Sequence, residues 1–175
     1  MIWCHNGRGM EAPVAAALGK LDAFNLFDPY WMDPEYDLWY RLLNCGLHLP
    51  ASTGTDWFVC SNYRVYVQAG AEFSYAGWIE GMKAGRTYIT NGPSLELKVD
   101  GQPVGSELAL GGPKALEVEA SFRSCYPVDR LELVVDGTAI SSQDWPAGQR
   151  EGTFLHRLEV ERDGWLAARL WGSAR

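Results

Sequence analysis

The hydrophobic rhythm of this chain changes at Pro93. Beyond it, apolar residues recur at every second position. Leu95, Leu97 and Val99 alternate with Glu96 and Lys98, and Leu116, Val118, Ala120 and Phe122 alternate with Glu117, Glu119 and Ser121. Leu131, Leu133 and Val135 continue the pattern, as do Leu158 and Val160. A period of two belongs to strands with one face on a core. Asp100-Gly101, Asp136-Gly137 and Asp163-Gly164 follow these runs, and Asp-Gly suits the two-residue hairpin turn, whose central positions need positive φ. Residues 94–175 therefore read as an all-β, sandwich-like module. Its last apolar run closes at Trp171-Gly172, so the module reads as short of its last strand.

Before Pro93 the segments alternate between strand-like and helix-like. Ile2-Trp3-Cys4 is a short apolar strand, and Glu11 to Leu18 is Ala-rich, with Pro13 early and Gly19 as a stop. Leu21 to Phe27 is strand-like, and Asp28-Pro29 and Asp33-Pro34 bracket a loop. Glu35 to Cys45 is the clearest helix, because Leu38, Trp39, Leu42 and Leu43 share one face and Gly46 ends it. A strand-like stretch runs through LHLPASTGTD, and RVYV at 64–67 is another strand. Ser74 can cap a helix that turns Tyr75, Trp78, Ile79 and Met82 inward, and Tyr88-Ile89-Thr90 is again strand-like. Strands alternating with helices predict a parallel α/β sheet or barrel over residues 1–93.

Composition narrows the partners. The net charge is −7 and the 15 basic residues are scattered, which argues against nucleic acid or an anionic membrane surface as a partner. No run of about 18 apolar residues offers a transmembrane helix. The opening Met-Ile-Trp-Cys-His-Asn-Gly lacks the basic and apolar regions of a signal peptide and reads like the interior of a domain. Cys4, Cys45, Cys60 and Cys125 show neither CxxC pairing nor zinc-finger spacing and read as reduced, mostly buried thiols. No G-x-S-x-G elbow, P-loop or Rossmann glycine pattern occurs, and Gly7-Arg8-Gly9 lacks the third glycine and the lysine of a phosphate loop.

In an α/β barrel, chemistry sits at the carboxyl ends of strands. His5 directly follows the first apolar strand, and Asp56 follows LHLPASTGT within a tight turn. An imidazole and a carboxylate are ordinary ligands of a hydrolytic metal, which would lower the pKa of bound water to about 7. A single His or Asp at a strand end is equally a common structural feature. His48 and His156 read as structural, and Asp22 and Asn25 lie on a strand that could reach the same face. Arg64 and Arg86 each lead a strand and either bind a substrate anion or pair with the excess acids. Asn91-Gly92-Pro93 is first of all an interdomain turn, and Asn91 joins Arg64 as a substrate-binding candidate.

The stretch WCHNGRGMEAPV, the segment WYRLLNCGLHLPASTGTDWF, the strand NYRVYV and the run WIEGMKAGRTYITNGPSLELKVDG together resemble the PHP (polymerase and histidinol phosphatase) superfamily. Within it they resemble the C-terminal portion of CehA/McbA-type metallohydrolases. The resemblance covers about residues 1–105 and extends more loosely into the β module. It implies a partial, distorted α/β barrel with a polynuclear site for zinc, manganese or iron. It also implies hydrolysis of an ester, carbamate, amide or phosphoester bond in a small-molecule substrate. His5 matches a late-barrel metal histidine, and Asp56 matches the Asp of the closing Gly-Ser/Thr-Asp motif. The sequence departs from the family twice. The H-x-H pair and further ligands of earlier strands are absent, and Phe58 stands where Asp-x-His would place a histidine.

Three functions follow as expectations: a PHP-type metal-dependent hydrolase incomplete in this chain, a non-catalytic binding or structural protein, and a fragment stabilised by association. The second would use the β module through exposed Trp145, Trp165 or Trp171. The third arises because a barrel without its early strands leaves open sheet edges that invite self-association.

Overall fold

The structure, a computed structural model, describes residues 1–3, 11–26, 32–54 and 62–172. The chain divides into two compact units, Met1–Asn91 and Gly92–Arg175.

The first unit holds β1 (Ile2–Trp3), α1 (Ala12–Ala17), β2 (Ala23–Leu26), α2 (Met32–Asn44), β3 (Ala51–Thr53), β4 (Arg64–Val67), α3 (Tyr75–Lys83) and β5 (Thr87–Thr90). Strands β1, β2 and β3 form a parallel sheet in that order, with Trp3 level with Phe24 and Phe24 level with Ala51. Helices α1 and α2 bury one face each against it. Ala12 and Ala16 of α1 and Leu42 of α2 join Leu21, Phe24, Leu26 and Leu49 in one core, with Leu38, Trp39 and Leu43 packed beside them. The Trp39 indole N–H donates to Leu49 O at 2.8 Å, which fixes the chain between α2 and β3. Gly19 and Gly46 lie past the ends of α1 and α2 at φ 64° and 77°, a conformation that glycine adopts without strain.

Helix α2 begins at Met32, three residues before the sequence pattern suggests. Pro34 falls in its first turn, where a missing N–H costs nothing. Helix α3 is capped as expected, since the Gly77 N–H donates to Ser74 Oγ at 3.0 Å. Its Met82 is buried, but Tyr75, expected to face inward, is 77% exposed because it stands in the first turn beyond the packed face.

The second unit holds β6 (Ser94–Val99), β7 (Gln102–Pro103), β8 (Lys114–Arg123), β9 (Arg130–Val135), β10 (Thr138–Asp144), β11 (Glu151–Val160) and β12 (Leu166–Trp171). They form two antiparallel sheets, β11-β8-β6-β7 and β10-β9-β12. Val118, Ala120 and Phe122 of one sheet and Leu131 and Leu133 of the other share a core with Val128, and Leu95, Leu97, Val99, Trp145 and Phe154 pack around it. Asp100 and Asp136 have positive φ of 47° and 51°, so Asp100-Gly101 and Asp136-Gly137 are the left-handed hairpin turns expected for Asp-Gly. Asp163-Gly164 is different. It joins β11 of one sheet to β12 of the other and closes no hairpin.

The α/β barrel expected from the alternation of elements is corrected by this architecture. The described residues form twelve strands and three helices, in four small sheets. Among the described residues only β1-β2-β3 is parallel, and these residues are predominantly β. The alternation misled at α3. A helix between two strands normally makes a parallel crossover, yet β4 and β5 are antiparallel, with Val67 opposite Thr87. Residues 68–86 therefore form an enlarged hairpin connection with a helix inside it. Gly81 allows this return, because a Cβ there would lie 2.7 Å from Val67 Cγ1 and 2.8 Å from Gln68 O. Without a side chain at that point, α3 can sit directly on the end of β4. No helix among the described residues is long and apolar enough to cross a membrane.

Candidate functional site

Parallel strands leave their sheet at a common edge, where α/β proteins characteristically bind ligands. Here that edge is formed by the ends of β1, β2 and β3, at Trp3, Leu26 and Thr53. Neighbouring strands are about 4.8 Å apart, so the ends of β1 and β3 stand about 10 Å apart across β2. His5 follows β1 by two residues and Asp56 follows β3 by three, and both lie outside the described residues.

Within the described residues, Asp22 is excluded from this edge. It precedes β2 and so stands at the amino edge of the sheet. Its carboxylate pairs with the Met1 ammonium and with Lys83 Nζ, the latter at 3.2 Å. Hydrogen bonds from the terminal ammonium and then from Lys83 hold its pKa below the ordinary carboxylate value. Asn25 lies on β2 opposite Ser52 of β3, one residue before the carboxyl end of β2.

The structure brings together the two substrate-binding candidates, Arg64 and Asn91. Arg64 opens β4 directly across from Thr90, the last residue of β5, and Asn91 follows Thr90. Both are exposed. The Arg64 guanidinium donates to the neighbouring Tyr63 O at 2.8 Å. On the same face of this hairpin Tyr66 stacks on Tyr88, with ring centroids 5.0 Å apart and planes 8° from parallel. The opposite face carries Ile89 against the core and Thr87, whose hydroxyl donates to Ala51 O at 3.2 Å.

One acidic residue of the first unit escaped the sequence reading. Glu35 is fully buried on α2, the helix that follows the carboxyl end of β2. In the sequence it is one of several acids in a helical run, and nothing in the spacing marks it as buried. Among the described residues no group of three or more His, Cys, Asp and Glu side chains gathers to hold a metal ion. A catalytic zinc takes three protein ligands, so the two candidates, His5 and Asp56, do not by themselves supply a complete set.

His48 is exposed, and His156 turns toward the core face of β11, with its ring 5.9 Å from that of Phe154. The three tryptophans proposed as a binding row do not form one. Trp145 packs edge-on against Phe122 at 5.4 Å within the core, and Trp165 is half-buried. Trp171 is 51% exposed, with its indole N–H on Glu132 Oε2 at 2.8 Å and Arg169 over its ring. No family model matches this chain, and no curated protein or solved structure matches it.

Proposed function

We propose that this chain carries part of a metal-dependent hydrolase of PHP type, acting on an ester, carbamate, amide or phosphoester bond of a small molecule. The observation that supports the reading is the parallel register of β1, β2 and β3. It turns the ends of β1 and β3 toward one edge, and the chain continues from those ends into His5 and Asp56. The reading expects the cation at that edge, where the ends of β1 and β3 stand about 10 Å apart. The metal in this reading is zinc, manganese or iron, and the missing ligands come from outside the described residues. Arg64 and Asn91, neighbours at one end of the β4–β5 hairpin, are its substrate-binding residues. Its partners are the small-molecule substrate and a second copy of the chain at an open sheet edge.

Hydrolysis of a panel of chromogenic carboxylic, carbamate and phosphoric esters, with each metal added in turn, tests the activity. Because the ligand set is incomplete, the reading expects only weak metal-dependent turnover of one class, lost in His5→Ala and in Asp56→Ala. Turnover equal in both variants and the parent would remove these residues from the reaction.

A further inference from the structure

The four edges of the β unit are not equally protected. Strand β7 is two residues long and ends in Pro103, and β10 carries a register shift between Ala139 and Ser141. Short strands, proline and bulges are the usual ways an edge is blunted. Strand β12 is six residues long and lies beside β6 of the facing sheet. Strand β11 has only charged side chains, Glu151, Arg157 and Glu159, to protect it. It runs for ten residues with no proline, and its pairing with β8 is regular from Glu151 to Val160. Among the described residues no strand pairs with its other side.

The hydrogen-bonding phase of β11 identifies which residues face that open side. The Ser124 N–H donates to Arg150 O at 2.7 Å. In an antiparallel ladder alternate residues turn both backbone groups to the same neighbour. The even residues 152 to 160 therefore bond to β8, and Glu151, Thr153, Leu155, Arg157 and Glu159 turn their N–H and C=O outward. The side chains of these five residues are exposed on the outer face, Leu155 at 71%.

We infer that β11 pairs antiparallel with β11 of a second copy, centred on Phe154, to make one continuous eight-stranded sheet. Charge selects this register. With Phe154 at the two-fold axis, Glu151 of each copy stands opposite Arg157 of the other, and Thr153 opposite Leu155. Two opposite-charge pairs and a covered Leu155 result, the pairs extending the contacts that Glu151 makes with Arg123 and Arg157 with Glu159 in each copy. Moving the axis by one residue to Leu155 sets Glu151 against Glu159 in both copies, and like charges directly opposite are destabilising. Moving it to His156 leaves Glu151 beyond the paired segment and sets Arg157 against Leu155. The inference rests on the self-association proposed above and is independent of the hydrolase chemistry.

Sedimentation velocity of the full chain over a range of concentrations tests it. The parent chain is expected to dimerise. Arg157→Glu converts both attractive pairs into repulsive ones and weakens the dimer roughly tenfold. The double variant Glu151→Arg with Arg157→Glu restores it. Thr153→Pro removes an outward N–H while leaving every bond to β8 in place, so it abolishes the dimer while the far-ultraviolet circular dichroism keeps its β signature. A parent chain that stays monomeric would overturn the inference together with self-association itself. A dimer that survives Arg157→Glu, or that the double variant fails to restore, would overturn this edge and register alone.

Discussion

Asp100 and Glu117 hold each other by two reciprocal bonds. The Asp100 N–H donates to Glu117 O at 2.8 Å, and the Glu117 N–H donates to Asp100 Oδ1 at 2.8 Å. Asp136 repeats the arrangement with Trp165, at 3.2 Å and 3.1 Å. In each case an aspartate in a left-handed turn position ties its hairpin to a strand entering from elsewhere, and a basic side chain, Lys114 or Arg162, completes the contact. The two Asp-Gly turns therefore do more than reverse the chain.

Replacing Asp136 by Ala removes the acceptor for Trp165 and puts at positive φ a residue that lacks the local side-chain bonding by which Asp tolerates that conformation. Together these are expected to cost about 2 kcal/mol. Asp136→Asn, which tolerates the left-handed conformation and keeps an acceptor, costs clearly less. Urea denaturation followed by tryptophan fluorescence separates the two, and equal losses would contradict the role given to the turn.

The acid limb of stability is expected to depend on Asp100 and Asp144. Bonding to Lys114, and then to the Glu117 N–H, lowers the pKa of Asp100, and bonding to Arg130 lowers that of Asp144. A carboxylate with a depressed folded pKa contributes fully above its unfolded value of about 3.9 and loses that contribution as pH falls through the folded value. Stability measured from pH 7 downward should therefore decline below about pH 4. Asp100→Asn and Asp144→Asn should each flatten the decline, and an unchanged slope in both would contradict the assignment.

Gly152 on β11 faces the core beneath Trp145. A Cβ there would stand 2.7 Å from Trp145 Cη2 and 2.9 Å from Phe122 Cε1. Gly152→Ala is expected to overpack the second unit at a cost of about 1–3 kcal/mol, with altered near-ultraviolet circular dichroism from the displaced indole. Gly101→Ala offers a contrast, because nothing lies within 4 Å of its Cβ and any cost comes from its φ of 76° alone.

The second unit was more legible in the sequence than the first. Period-two alternation at Leu116, Val118, Ala120 and Phe122 corresponds residue for residue to the buried face of β8, because a strand with one wet face must alternate. The face of α2 was equally clear from Leu38, Trp39, Leu42 and Leu43. Alternation says nothing about direction, however, and β4 and β5 are antiparallel because the 68–86 connection returns to the end of the pair it left. Asp163-Gly164 carries the same residues as the two true hairpin turns, yet its flanking strands belong to different sheets. Tertiary pairing decides between those outcomes, and the dipeptide does not encode it. Of the site, only Arg64 and Asn91 fall within the described residues, and their proximity follows from a strand register that the sequence did not disclose.

The functional account depends on a cation held by the residues that follow β1 and β3. Metal content of the purified chain after equilibration with zinc, manganese or iron, measured by mass spectrometry beside His5→Ala and Asp56→Ala, tests it most directly. The account predicts weak metal binding by the parent, as an incomplete ligand set allows, and at least a tenfold further loss of affinity in each variant, on the scale of removing one ligand or its support. Parent and variants retaining the same metal, or none of them retaining any, would contradict it.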